Sequence, residues 1–179
     1  MAIFIDTETN GLPNMKDMVW GKYPQFYDLE KYNTARIVQL SFIVTDRSFN
    51  NIDLQDYIIK REGFTINNSE FHSITDEISD EKGIDFNEAF NAFYESLKKT
   101  NHIIEEINKK KLLCTMRHTK NIIKIINKFG KYKYPSLKEL YRYCFNKEIE
   151  NAHNSKYDVI NLYDSIKKLY DDGILYYNL

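Results

Sequence analysis

Asp6 and Glu8 stand two residues apart at the end of a short apolar run, Ile3-Phe4-Ile5, and Asn10-Gly11 closes the segment. Such a run, ended by Asn-Gly, reads as a buried strand. Side chains at i and i+2 of a strand share a face, so the two carboxylates would project side by side. Neighbouring carboxylates repel each other, and burying them is costly unless a cation lies between them. Mg²⁺ and Mn²⁺ are hard ions that prefer carboxylate oxygens. Two solvated acids at a strand end is the simpler reading of this pair alone, so the motif needs partners. His153 and Asp158, near the other end of the chain, supply them. The spacing places an imidazole just before a helix and a carboxylate about one and a half turns on. If that helix packs on the first strand, Asp158 joins Asp6 and Glu8 as a third ligand. A surface histidine before a helix is the plainer reading of His153 alone, but beside the three acids it is placed as general base toward the attacking water.

The intervening chain must position these groups. Pro13 to Thr34 is a long polar and aromatic loop with no clean period, holding Trp20, Tyr23, Phe26 and Tyr27. Loops of this length inside a compact domain are usually functional, and the aromatics suit either base stacking or packing within the loop. Arg36–Thr45, RIVQLSFIVT, reads as a second strand, Asp46–Asn51 as a turn and Ile52–Arg61 as a third strand, which gives an antiparallel meander. Helical spacing then appears at Phe86, Ala89, Phe90, Phe93 and Leu97, with Asp85 as N-cap. Leu112–Met116 reads as a short buried strand, and Thr119–Phe129 as a helix stopped by Gly130. Ser136-Leu137-Lys138-Glu139 matches a capping box and opens a helix to about Phe145. The last helix runs from about Asn154 to Asp171, with Val159, Leu162, Tyr163, Ile166, Leu169 and Tyr170 on one face and Gly173 at its end. Strands first and mixed helices after point to a single α/β domain over residues 1–179.

Composition bounds the function. Of the 179 residues 42% are hydrophobic and 15% aromatic, which excludes disorder. Net charge is only −1, yet Lys98 to Lys147 carries 14 Lys/Arg against three Glu. Such asymmetry fits a basic surface beside an acidic site, as in an enzyme that binds a polyanion; a solvated, Lys-rich surface is the plainer alternative. Cys114 and Cys144 lack partners at zinc-ligand spacing and read as buried free thiols, in keeping with a reducing compartment. With no stretch of about 18 apolar residues and no basic leader before Asp6, the expectation is a soluble, cytoplasmic protein with no membrane partner.

Taken together the motifs carry a resemblance. Asp6-Thr7-Glu8-Thr9-Asn10-Gly11-Leu12 resembles the first motif of the DnaQ-like, DEDDh-type 3′→5′ exonucleases, and Asn151-Ala152-His153-Asn154-Ser155-Lys156-Tyr157-Asp158 their His-x4-Asp motif. Ala35 to Leu40 is similar to the family's second strand, and Phe71 to Thr75 to its His-Gly-Ile-Thr segment with Ser73 in place of Gly. Cys114 to Arg117 resembles the strand after the second motif, and Ser136 to Phe145 the following helix. The resemblance implies an RNase H-like fold, a mixed central sheet (antiparallel meander, then parallel strands) flanked by helices. It also implies two-metal hydrolysis from a 3′ end, with Mg²⁺ or Mn²⁺ held by Asp6, Glu8 and Asp158 and with His153 deprotonating the attacking water. Thr7, Thr9, Asn10, Leu12, His72 and Asn154 would contact substrate, single-stranded or 3′-ended DNA or RNA. The basic segment would grip phosphate, and a polymerase or a replication or repair complex is an implied partner.

One departure stands out. The family's second motif, a strand followed by His-Asn-x-x-Phe-Asp, supplies a fourth acid. Thr100 to Ile104 resembles that strand, but Glu105-Glu106-Ile107-Asn108 follows at once and no Asp occurs between Asp85 and Asp158. Joining parallel strands takes a dozen or more residues, so the strand–helix unit around residues 100–112 is truncated or altered. Either the helix from Asp85 runs on through Ile104 and Ile107, or the chain lacks a segment of its parent reading frame, or Glu105 or Glu106 stands in. These readings divide the functional expectation between a metal-dependent 3′→5′ exonuclease and a catalytically impaired relative. The latter would bind 3′ ends or serve as a polymerase or nucleoprotein accessory.

Overall fold

The computed structural model describes residues 2–19, 22–50, 52–99 and 114–176. Strands β1 (Ala2–Thr9), β2 (Ile37–Thr45) and β3 (Asp53–Ile58) form an antiparallel sheet in the order β1-β2-β3. Asp46 shapes the β2–β3 turn, its Oδ1 accepting from the backbone of Ser48 and Asn50, each at 2.8 Å. The meander expected from the apolar patterning is therefore present. The expected parallel strands fall largely in residues 100–113, outside the described set; the one parallel pairing described is the bridge between Ile59 and Ile84. Between strands β1 and β2 the long loop holds, among its described residues, one 3-10 turn, Leu29–Tyr32, with Tyr23, Phe26 and Tyr27 exposed.

Six helices follow among the described residues: α1 (Ser69–His72), α2 (Asp76–Lys82), α3 (Phe86–Lys99), α4 (Thr115–Ile123), α5 (Leu137–Phe145) and α6 (Ser155–Asp171). Period-two alternation in β2 splits the core between the two faces of the sheet. Leu40, Phe42 and Val44 pack toward α3 through Ala89 and Phe93, with the Phe42 and Phe93 rings 5.3 Å apart. Ile43, joined by Phe4 of β1, faces α6 and its buried Val159, Tyr163, Ile166 and Leu169. Phe4 meets Tyr163 edge-on at 5.6 Å, and the Tyr163 hydroxyl donates to the Phe49 carbonyl at 2.7 Å. Burial of rings of this size stabilises by roughly 1.5–3 kcal/mol each, which seats the last helix on the first strand.

Local signals set most helix ends. Asp85 Oδ1 accepts from the Asn87 amide, as an N-cap does. Ser136 and Glu139 form the reciprocal capping box at the start of α5. Gly173 closes α6 in the left-handed region, φ +67°.

The segment after residue 113 differs from expectation. Thr115 and Met116 open a helix and are not part of a strand, so the proposed likeness of Cys114 to Arg117 to a family strand is not realised. Leu112 and Leu113 lie outside the described residues, as do Ile104 and Ile107, through which a continued α3 is one of the expected routes. The physical reason is spacing: Thr115, Thr119, Ile122 and Ile123 share a helical face, with Thr119 buried and both isoleucines against the core. A five-residue apolar run does not by itself distinguish strand from helix. Cys114, expected to be buried, is exposed, and Cys144 is half-buried. The helix expected over Thr119–Phe129 ends at Ile123, where Lys124 turns left-handed at φ 57°. Ile125 and Ile126, both β-branched, favour extended backbone, and Ile126 pairs antiparallel with Tyr132. Beyond them Asn127 Oδ1 accepts from Phe129 and Lys131 in an Asx turn, so Gly130 serves that turn and stops no helix.

Ser73 caps α1 at φ 62°, ψ 14°, a left-handed position that suits glycine. A non-glycine residue there costs about 1–2 kcal/mol, offset in part by the extra unfolded-state freedom of glycine. Ser73→Gly is expected to stabilise the protein by about 0.5–1 kcal/mol, read as a rise of about 2 °C in Tm.

Candidate active site

Asp6 and Glu8 lie on the face of β1 that Phe4 turns toward α6, while Thr7 points away and is exposed. Across the ladder Asp6 pairs with Ser41 and Glu8 with Gln39, two buried polar residues at the middle of a mostly apolar strand. These partners hold the start of α6. The Ser41 and Ser155 hydroxyls are 2.6 Å apart, and Gln39 Oε1 accepts from the Ser155 amide at 3.3 Å. The Gln39 amide nitrogen donates to Asp56 at 2.8 Å and to Asn154 Oδ1 at 3.5 Å, while Ser41 donates to Asp56 at 2.7 Å. Asn154, the N-cap, makes no capping bond of its own, so Gln39 satisfies an amide that the helix leaves open. Asp158 follows Ser155 by three residues and projects from the same turn toward the acids on β1.

Ligand oxygens of Asp6, Glu8 and Asp158 all lie within 4.8 Å of one another, and no other such group of acids, histidines and cysteines occurs among the described residues. Oxygens on opposite sides of a Mg²⁺ ion stand about 4.2 Å apart. Small side-chain shifts therefore close these three around a divalent ion, and the all-carboxylate donor set fits Mg²⁺ or Mn²⁺. The electrostatics agree. Burial first, then the charges of Asp158 and Glu8, pushes the Asp6 carboxyl up to about 7. Burial and Asp158 raise Glu8, with His153 drawing it partly back. Asp158 is raised by burial, against the His153 amide and imidazole that favour its charged form. Three crowded carboxylates with raised pKa values form a donor set that a divalent cation would favour.

His153 is exposed at the rim, in the left-handed region at φ 67°. Its backbone N–H donates to Asp158 Oδ2 at 3.1 Å, and its ring stands edge-on to exposed Phe71 at 6.5 Å. The remaining candidates divide. Leu12 is 77% exposed, its carbonyl accepting from Thr34 Oγ1. Thr9 Oγ1 donates to the Gly11 carbonyl, and the Asn10 side chain is engaged by Thr65 and Asn67. His72 is buried, and its Nδ1 accepts from the Ile74 amide at 3.1 Å. Its Nε2 therefore carries the proton and donates to Asn68, whose amide donates in turn to the Thr9 carbonyl. His72 and Asn68 thus brace the end of β1, where the register shifts between Glu8 and Thr9. Beside Asp6 and Asp158 opens a cavity of about 160 Å³, walled by Thr115, Met116 and Thr119 of α4 and by Pro135 and Ser136 ahead of α5. The roles of Gln39, Ser41, Asp56 and Ser155 belong to none of the motifs above. The available signal was two polar residues on one face of β2, where the alternation calls for apolar ones.

The family model described as Exonuclease, RNase_T, matches residues 3–165. No curated protein matches the chain in sequence. Among solved structures, the fold resembles a 3′-exonuclease in 3′-end-specific recognition of a histone mRNA stem-loop. That match has a TM-score of 0.63 and 12% identity, covering 96% of this chain and 82% of the other. It also resembles exonuclease X in complex with 5′-overhanging duplex DNA, with TM-score 0.58, 16% identity and coverage of 97% and 93%. The nuclease domain of 3′hExo, a DEDDh family member bound to rAMP, gives TM-score 0.59, 14% identity and coverage of 99% and 95%. At these identities the likeness speaks for the fold. Among the described residues, no helix is long and apolar enough to cross a membrane.

A carboxyl raised on folding holds its proton to higher pH in the folded chain than in the unfolded one. The folded state therefore binds more protons from about pH 4 to about pH 7, and stability falls as pH rises through that window. Glu8, Asp158 and half-buried Asp164 act in the same direction. In EDTA, Tm is expected to be lower at pH 8 than at pH 5.5. Asp6→Asn is expected to raise Tm at pH 8 and flatten the dependence, and Mn²⁺ to raise Tm at pH 8 for the parent but not for Asp6→Asn.

Proposed function

The chain belongs to the DnaQ-like exonuclease family, and on that premise we propose that it is a metal-dependent 3′→5′ exonuclease acting on nucleic-acid phosphodiesters, with the whole chain forming one such domain. The observation that carries this reading is the meeting of Asp6, Glu8 and Asp158 from opposite ends of the chain. Bound Mg²⁺ or Mn²⁺, in a pair as the family resemblance implies, supplies Lewis acidity at the scissile phosphate. Asp6 and Glu8 hold one wall of the site on a strand, and Asp158 closes it from α6, so the ligands sit on rigid elements. His153, exposed and anchored by its amide to Asp158, takes the proton of the attacking water and passes it to bulk solvent. Leu12 and the open cavity beside Asp6 offer surface to the terminal nucleotide.

A second reading rests on a specific observation. The acid cluster among the described residues has three carboxylates, and no Asp lies between Asp85 and Asp158 to supply a fourth. On that reading the chain holds 3′ ends as an accessory to a polymerase or nucleoprotein and turns over poorly.

Incubation of a 5′-labelled single strand with Mn²⁺ tests both. Exonuclease action predicts a ladder of products shortened from the 3′ end, erased by Asp6→Ala and slowed about 10²–10⁴-fold by His153→Ala. Equal shortening by Asp6→Ala would sink the proposed chemistry, whereas binding without shortening by the parent would favour the accessory.

A further inference from the structure

We propose that the turn from Lys124 to Tyr134 is a docking surface for single-stranded nucleic acid, in which exposed rings stack on bases and lysines contact the phosphates. This rests on the exonuclease-family reading of the site and extends it to a second surface. Backbone hydrogen bonds shape the turn: the Lys133 amide donates to the Ile125 carbonyl and the Asn127 amide to the Lys131 carbonyl, both at 2.8 Å, with Ile126 paired antiparallel to Tyr132. It is thus a preformed projection. Its apolar groups face outward, Phe129 being 73% exposed, Tyr134 55% and Tyr132 42%. Cations accompany them: Lys128 Nζ lies 5.0 Å from the Phe129 ring centre, and Lys120 Nζ lies 4.9 Å from that of Tyr134. Lys133 pairs with Glu139, but among the described residues no ion pair engages Lys124, Lys128 or Lys131, all exposed.

Charge selects the occupant. No acidic residue occurs between Glu106 and Glu139, so the turn carries four lysines, of which Glu139 pairs with Lys133 alone. An apolar protein partner would leave those lysines unmatched, whereas a polyanion with π faces satisfies rings and cations together. Position supports the same occupant. Both ends of the turn are tied to the cavity beside Asp6 and Asp158, through Thr119 on one side and Pro135 on the other. Ile123 ends α4 four residues beyond Thr119, about 6 Å along the axis, and Lys124 follows it directly. A strand rises about 3.4 Å per nucleotide when stacked, so the turn lies within reach of nucleotides a few positions upstream of a 3′ end held at the acids.

The test is the affinity of the full chain for labelled dT12 and rU12 in EDTA, where hydrolysis does not intervene. Phe129→Ala is expected to weaken binding about tenfold, since one stacked base contributes about 1–3 kcal/mol. Phe129→Trp is expected to restore it, which a loss of folding would not permit. Lys128→Ala combined with Lys131→Ala is expected to lower the slope of log Kd against log salt by about 1.4, two phosphate contacts on a single strand. A parent that binds neither strand, or variants that bind as the parent does, would overturn the proposal. Those results leave 3′ shortening and its loss in Asp6→Ala untouched. Conversely, turn-dependent binding without shortening keeps this surface and removes the hydrolysis.

Discussion

The hydrogen bonds joining Ser41 and Gln39 to Ser155 are the contact on which the site depends. They cross from the centre of the sheet to the first turn of α6, between residues 114 and 116 positions apart in the chain. Apolar packing of Phe4 on Tyr163 and Val159 brings the helix to the sheet, but such packing is tolerant of small slides along the axis. Buried hydrogen bonds are not, because each partner left unmade costs about 1–3 kcal/mol. The clamp therefore sets the register of α6 over β1. Asp158, one turn on, falls opposite Asp6 and Glu8 as a consequence.

That register works against the metal-free fold. Three carboxylates share a partly buried space, and Asp6 is driven to hold a proton near neutrality. A structure optimised for stability alone would place an amide or an apolar side chain there. Crowding of this kind, confined to one cluster beside the hydrogen-bonded Gln39, Ser41 and Asp56, would serve the divalent-ion site proposed above. The Asn68–His72 bridge to the Thr9 carbonyl serves the same end from the other side, holding the irregular end of β1 where Glu8 emerges.

Much of this was legible in the residues. The three strands follow from β-branched runs bounded by turn residues, the helix after Ser136 from a reciprocal cap, and α6 from sustained helical spacing. Those signals are local, and local structure obeys them. Residues 112 to 130 are less legible: the short apolar run ending at Met116 suits strand and helix alike, and the isoleucines that continue the helical spacing past Ile123 hide the end of α4 at Lys124. The acids were recognisable because two motifs at the chain ends match one family in order. The clamp beneath them was not, since a serine and a glutamine in a strand reveal their purpose only when the partner from the last helix is in place. The same applies to His72, whose part in bracing β1 runs through Asn68 and shows only in the folded chain.

The most direct test of the account is Mn²⁺ binding by the parent and by Gln39→Leu, followed by electron paramagnetic resonance of the free ion at pH 8. Gln39→Leu keeps all three carboxylates and roughly the same side-chain volume while releasing the amide of Ser155. Saturable binding by the parent, weakened about 10–100-fold in a Gln39→Leu protein whose circular dichroism is unchanged, is the predicted result. Equal affinity in the two proteins, or no saturable binding by the parent, would contradict it.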